Sequence, residues 1–235
     1  MMSTGLSSQE QAKKRAGYKA ADYITSGMTV GLGTGSTVAF TMARIQERMK
    51  NEGLSLVGVP TSIQTTLRAT ALGIPLIGLE QAEYIHVTID GADQIDSELR
   101  LIKGRGAAHV RERILADASA RLIIVADPSK ICLHLTGPIP IEIIPFSLSH
   151  VIRRLTALGG VVTIREGMKK DGPVISDNGN IVLDYMPVSI PEPASLEREI
   201  NNIPGVVSCG LFTEFISKTT VIIGEENGPR IIGVP

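Results

Sequence analysis

The chain contains no tryptophan and only 3% aromatic residues, which leaves little material for the stacked platforms that hold single-stranded nucleic acid or sugar rings. Its two cysteines, Cys132 and Cys209, stand far apart without a Cys-x-x-Cys pair. Neither a disulfide framework nor a zinc ribbon is therefore expected, and both thiols are read as free and buried. Charge of one sign is also lacking: 23 Lys+Arg against 24 Asp+Glu give a formal net charge of -1. No global field gathers nucleic acid and no polybasic run suits an anionic membrane, so neither is expected as a partner. Any anion must be bound locally. The apolar segments are short and broken by Gly, Pro or charge, and no basic stretch leads into an apolar run at the start. Signal peptide and transmembrane helix are both disfavoured, and the cytoplasm is the default location.

What is present is a chain of 235 residues, 43% hydrophobic and 20% charged, enough for a sizeable core. Ser7-Ser8-Gln9-Glu10 reads as a capping box, opening a helix with Ala12, Ala16, Ala20, Tyr23 and Ile24 on one face. Strands are expected over 28–32, 54–59 and 74–79, alternating with helices over 38–49 and 62–72, which implies parallel pairing. The runs 84–89 and 122–126 are apolar and β-branched without alternation, as in central strands buried on both faces, with a helix over 107–118 between them. From Pro138 the order becomes strand 139–144, helix 148–158, strand 161–165, strand 181–185 and helix 194–200. Residues 206–215 are read as supplying its last strand or leading back to the main sheet, and 220–223 as an edge strand of the main sheet. The fold class is thus α/β: a doubly wound, mostly parallel, Rossmann-like sheet with a smaller inserted α+β domain of split-βαβ, ferredoxin-like type. Residues 1–135 with 207–235 are assigned to the first domain and 136–206 to the second.

Three segments carry chemistry. Gly31-Leu32-Gly33-Thr34-Gly35-Ser36-Thr37 joins a strand to a helix, where glycines let backbone N–H groups close on an oxyanion and hydroxyls add donors. It matches neither a dinucleotide fingerprint nor a Walker A loop, and a ligand-free turn is the alternative. A helix N-terminus contributes only about 0.3 to 2 kcal/mol toward an anion, so side-chain cations are needed as well, with Lys13 and Lys130 as candidates. Asp90-Gly91-Ala92-Asp93 follows a strand at the carboxyl edge, where open α/β sheets place their sites. Its two carboxylates can trade protons, or one can simply hold an Asx turn. Lys103-Gly104-Arg105-Gly106-Ala107-Ala108, with Glu112 beyond it, brings an ammonium, free amides and a carboxylate together. A solvated ion-pair face with Arg111 and Arg113 is the alternative for Glu112. His86, His109, His134 and His150 form no ligand pair and are read as structural or surface residues, so no metal site is expected.

In this order and spacing the three segments closely resemble the A-type ribose-5-phosphate isomerases, whose hallmarks are the glycine-threonine loop, Asp-Gly-Ala-Asp, and Lys-Gly-x-Gly with a downstream Arg-Glu. The match spans nearly the whole chain, with further parallels in Ala126-Asp127-Pro128-Ser129-Lys130, Leu158-Gly159-Gly160 and Asp177-Asn178-Gly179-Asn180. The resemblance implies reversible conversion of ribose 5-phosphate to ribulose 5-phosphate through an enediolate, in the non-oxidative pentose phosphate pathway. It implies Glu112 as general base, Asp90 in ring opening, and Asp93 and Lys103 at the hydroxyl protons and the oxyanion. Gly33, Thr34, Gly35, Ser36, Thr37, Gly91, Ala92, Gly104, Gly106, Lys13 and Lys130 are implied as substrate and phosphate ligands. A homo-oligomer, dimer or tetramer, is implied as well. Gln94 and Arg105 depart from the family pattern without removing a matched position.

The chemistry is consistent with that division of labour. A proton beside a carbonyl leaves only if the oxyanion is stabilised as it forms, and one such donor is worth about 2.7 to 4 kcal/mol. A positioned base adds about 100- to 10,000-fold, so no redox cofactor or metal is required. Were residue 105 to take positive φ, Arg would cost on the order of 1 to 2 kcal/mol, so it is expected not to. Two competing functions are an amino-sugar phosphate isomerase that deaminates, which calls for a site histidine, and a sugar-phosphate sensor, which should lack the Asp, Lys, Glu set.

Overall fold

In the computed structural model, which describes residues 5–234, the helices in chain order are α1 (Ser8–Ala21), α2 (Ser36–Glu52), α3 (Ile63–Ala71), α4 (His109–Ala118), α5 (Leu148–Ala157) and α6 (Pro193–Asn201). The first strands are β1 (Met28–Leu32), β2 (Leu56–Pro60), β3 (Val87–Gly91), β4 (Gln94–Ile95), β5 (Leu101–Ile102) and β6 (Leu122–Ala126). The later ones are β7 (Ile139–Ile143), β8 (Val161–Ile164), β9 (Ile181–Met186), β10 (Val206–Cys209), β11 (Leu211–Phe212), β12 (Thr219–Glu225) and β13 (Gly228–Gly233). They divide into two compact units, one holding the described residues up to Gly91, Ile114–Ile131 and the described residues from Ser217, the other Ala92–Arg113 and Cys132–Ile216.

The first unit is built on a six-stranded sheet in the order β13-β12-β6-β3-β1-β2. Every neighbouring pair is parallel except β12 with β13. β6, Leu-Ile-Ile-Val-Ala, is buried at every position, which is why it shows no polar alternation. Ser7 caps α1 as the sequence predicts: its hydroxyl accepts from the Glu10 amide, and the Glu10 carboxylate accepts the Ser7 N–H at 2.9 Å. Ala12, Ala16 and Ala20 form the buried face of α1, whose small side chains let it lie close to α2 and β12. Ile24, Leu32, Met42, Ile45, Ile89 and Ile123 fill the core beneath.

Two expectations need correction here. Residues 74–79 make only a single bridge, Leu76 to Gly58, because Pro75 has no N–H to continue a ladder. The strand expected at the edge, β12, instead lies inside the sheet between β6 and β13, with all but its last residue buried. The edge is β13, whose pairing with β12 covers the far side of that strand.

The second unit holds a four-stranded sheet in the order β10-β7-β9-β8, antiparallel throughout. With α5 between β7 and β8, and α6 between β9 and β10, this is the split-βαβ arrangement that the sequence suggests. Ile139, Ile141, Val151, Leu155, Leu183 and Tyr185 are among its core. Of the stretch 206–215, β10 supplies the last strand of this sheet by joining β7, whereas beyond Gly210 β11 joins β5 in a separate three-stranded sheet, β11-β5-β4. The break has a steric reason, since a Cβ on Gly210 would stand 2.2 Å from the Lys103 carbonyl oxygen. Among the described residues no helix is long and apolar enough to cross a membrane.

Candidate active site

In the first unit, β6, β3 and β1 are parallel neighbours, so the segments that follow them emerge at one carboxyl edge. The glycine-rich turn leaves β1 there and runs into α2. Gly35 is the N-cap of α2, with φ 124° and no side-chain cap, and the first turn of α2 carries no acidic residue. The opening amides of a 17-residue helix are thus left without the oxygen that usually caps them, beside the exposed Ser36 and the half-buried Thr37. Uncapped opening amides of this kind are the backbone feature that anions bind. Asp90 ends β3 at 1% exposure, and its Oδ1 accepts from the Gly91 amide at 2.7 Å and the Thr34 amide at 3.2 Å. Gly33 is required by this contact, because a Cβ there would lie 2.1 Å from Asp90 Oδ1.

Thr34 differs from its neighbours. Its hydroxyl donates to Ser62 Oγ at 2.7 Å and lies 2.8 Å from the Thr61 hydroxyl, so it ties the loop to the start of α3. In the turn after β6 the Asp127 carboxylate accepts from Ser129 and Gln9. Burial opposes its charge, but the Ser129 and Gln9 hydrogen bonds and the Lys13 charge prevail and hold it below the usual carboxylate range. Lys13 on α1 is therefore electrostatically coupled to the Asp127–Lys130 turn, and both lysines are half-buried.

The second unit holds the other set. The Lys103 ammonium lies 3.0 Å from Glu112 Oε2, and the two side chains are 3% and 6% exposed. Phe212 supplies a further face, its ring centroid 5.5 Å from the Lys103 nitrogen. The backbone of Lys103 is fixed by its amide, which donates to the Gly210 carbonyl at 2.9 Å. After it, Gly104 takes φ 105° and the Ala107 amide returns to the Gly104 carbonyl at 2.9 Å. Arg105 avoids positive φ as expected; the left-handed residue is Ala107, at φ 58°. The helix expected from 107 begins instead at His109, after that kink, so Glu112 stands in its first turn. Asp93 reaches the same loop, its Oδ2 accepting the Arg105 N–H at 2.9 Å. A buried carboxylate, a buried ammonium and a glycine turn thereby lie together in the second unit.

The comparisons with known proteins agree. Residues 57–228 match the family model of ribose 5-phosphate isomerase A (phosphoriboisomerase A). The chain belongs to the ribose 5-phosphate isomerase A family. A relative from Methanoregula boonei, named ribose-5-phosphate isomerase A, is 47% identical over 224 residues, covering 95% of this chain and 94% of its own. Among solved structures, a D-ribose-5-phosphate isomerase in complex with phospho-erythronic acid superposes with TM-score 0.93 at 38% identity, covering 97% of this chain and 100% of the other. The ribose 5-phosphate isomerase A of Methanocaldococcus jannaschii gives 0.90 at 37% identity, covering 94% and 98%.

Around Lys103 and Glu112 the second unit holds further groups with partners of their own. Arg111 and Arg113 do not form a solvated face with Glu112. Arg111 donates to Asn178 Oδ1 and the Asp177 carbonyl, both at 2.8 Å. Arg113 pairs with Glu197 at 2.7 Å, donates to Ser208 Oγ and the Leu211 carbonyl, and stacks 4.3 Å from the Phe212 centroid. Among the described residues no group of three or more His, Cys, Asp and Glu side chains is gathered to hold a metal ion. Cys209 is a buried free thiol, pushed up to about 12 by burial; Cys132 is also free, and half-buried.

His109, which falls between the glycine turn and Glu112, is fully buried with its Nε2 3.1 Å from the Ser208 carbonyl. Burial, together with the charges of Arg165, Arg113 and Lys103, outweighs the Ser208 bond and pushes its pKa down from 6.5 to about 4. Between those values the unfolded chain binds the proton and the folded chain does not, so stability falls as pH falls through that window. The expected loss for this group is about 2 kcal/mol between pH 7 and pH 5. Denaturant titrations at both pH values should show a steeper decline for the wild type than for His109→Leu; equal declines would contradict a neutral buried imidazole.

Proposed function

We infer that this chain interconverts D-ribose 5-phosphate and D-ribulose 5-phosphate, the isomerisation step of the non-oxidative pentose phosphate pathway. It is an aldose-ketose isomerase, and its family membership over most of the chain is matched by the solved enzymes that it resembles. The single observation that carries the chemistry is the buried Lys103–Glu112 pair beside a glycine turn. A carboxylate and an ammonium held out of water are the two groups that proton transfer next to a carbonyl needs.

The residue roles are our reading. Glu112 takes the proton from C2 of the open-chain aldose and returns it to C1, with an enediolate between the two steps. Lys103 and the amides of the Gly104–Gly106 turn stabilise the oxygen that gains charge. Asp93 serves the hydroxyl proton, and Asp90 assists ring opening. The phosphate is held by the first amides of α2 with Ser36, Thr37, Lys13 and Lys130, while Thr34 braces the loop through α3. Gly91 and Ala92 contribute backbone next to Asp90.

A homo-oligomeric state, dimer or tetramer, belongs to the same reading. It is supported by large apolar side chains left in water on the second unit, Phe146, Met168 and Val188. Light scattering that found only monomer at assay concentration would remove it. The cytoplasm is the proposed location, where the pathway's sugar phosphates are made and consumed. The function itself is tested by a coupled assay of ketose formation from ribose 5-phosphate beside other aldose phosphates. Ribose 5-phosphate should be turned over fastest, and failure to form ribulose 5-phosphate would overturn the reading.

A further inference from the structure

Arg165 follows β8 and reaches far along the chain to the glycine turn. Its Nη1 donates to the Gly104 carbonyl at 2.8 Å and to the Arg105 carbonyl at 3.1 Å. The rest of the guanidinium is occupied by one carboxylate: Nε donates to Asp184 Oδ2 at 2.8 Å, and Nη2 pairs with Asp184 Oδ1. Asp184 lies within β9, and the Arg165 amide donates to the Val182 carbonyl of that strand at 3.0 Å. The fork is thus anchored on regular sheet at both backbone and side chain.

The Gly104 carbonyl and the Arg105 N–H belong to one peptide plane. Arg165 holds its oxygen while Asp93 holds its hydrogen. The next plane is held by its oxygen alone, that of Arg105. Because a trans peptide sets its N–H opposite its C=O, fixing that oxygen turns the Gly106 N–H away from Arg165. A glycine turn with residues at φ 105° and φ 58° does not hold such an orientation by its own preferences. An arginine needed only as half of an ion pair has no reason to spend a nitrogen on two carbonyls.

We propose that Arg165, anchored by Asp184, is a positioning residue of the isomerisation, orienting the 104–106 backbone so that the Gly106 N–H, the one left over when Asp93 takes that of Arg105, meets the developing oxyanion. The proposal rests on the isomerase reading given above. Arg165 does not touch substrate in this scheme; it acts through the turn. Donors aimed in advance act on the transition state more than on the ground state, so their misalignment lowers kcat and leaves KM almost alone.

The test is steady-state kinetics on ribose 5-phosphate for the wild type, Arg165→Ala, Arg165→Lys and Asp184→Asn. Arg165→Ala should lower kcat by about 10- to 100-fold, the scale of a misplaced catalytic geometry, with KM changed less than about threefold. Arg165→Lys should recover only part of it, since an ammonium has no planar fork to span two carbonyls and a carboxylate. Added guanidinium ion, at concentrations that leave the wild type unaffected, should restore part of the Arg165→Ala rate, which repair of a general folding defect would not do. If Arg165→Ala does not fold, Arg165→Lys and Asp184→Asn decide, and both should lose kcat. Wild-type kcat in the folded variants, or a loss confined to KM, would overturn the proposal. A wild-type chain inactive on ribose 5-phosphate would instead remove the isomerase reading, and this proposal with it.

Discussion

Glu112→Gln is expected to lower the rate of ketose formation by about 100- to 10,000-fold, the usual contribution of a positioned general base. The amide has the same shape and cannot accept the C2 proton. The glycine-rich turn after β1, with its uncapped helix, is untouched by the change. Binding of ribose 5-phosphate, followed by calorimetry or by competition, should therefore persist while turnover disappears. The combination matters, since a variant that lost both together would point to a damaged fold. Turnover at the wild-type rate would strip Glu112 of its role.

Lys103→Met is expected to cost about 100- to 1,000-fold in kcat through loss of an oxyanion donor. It carries a second consequence, because Glu112 would then be a carboxylate at 6% exposure without the ammonium 3.0 Å away. Breaking a buried pair from one side typically costs about 3–5 kcal/mol. Replacing both partners leaves no stranded charge, so Lys103→Met with Glu112→Gln should be less destabilised than the sum of the single changes. A coupling of about 0.5–3 kcal/mol is the range for such neighbours. Denaturant titrations of all four proteins measure it, and strict additivity would mean that the ion pair contributes nothing as a pair.

The motif loops were legible because their chemistry is local. A run of glycines and hydroxyls between a strand and a helix, as at Gly33–Thr37, leaves its mark in the sequence itself, although the Asp90 carboxylate that requires Gly33 comes from far along the chain. So does the Ser7 capping box. Thr34 was read with its neighbours as a phosphate ligand, whereas its hydroxyl turns toward Thr61 and Ser62, partners that no local pattern announces. Arg165 and Asp184 were invisible for the same reason: an arginine bound to carbonyls 60 and 61 positions away looks, in sequence, like any solvated arginine. The order of the outer strands was also hidden. β12 is apolar enough for an interior place, but β13, with Pro229 and an exposed Arg230, reads as a loop until its partner is known. The alternative reading of Glu112 failed on its flanking arginines, since Arg111 and Arg113 each have committed partners elsewhere.

The placing of β12 sets an order of events during synthesis. α1 is made long before β12, yet it packs on that strand, so closely that a Cβ on Gly224 would stand 1.8 Å from the Ala12 carbonyl oxygen. β6 likewise waits for β12 to cover its open side. A nascent chain stalled before Thr219 therefore exposes both a bare alanine face and an unpaired parallel strand, a template for aggregation. Until Thr219–Glu225 is made, the first sheet stays open on that side.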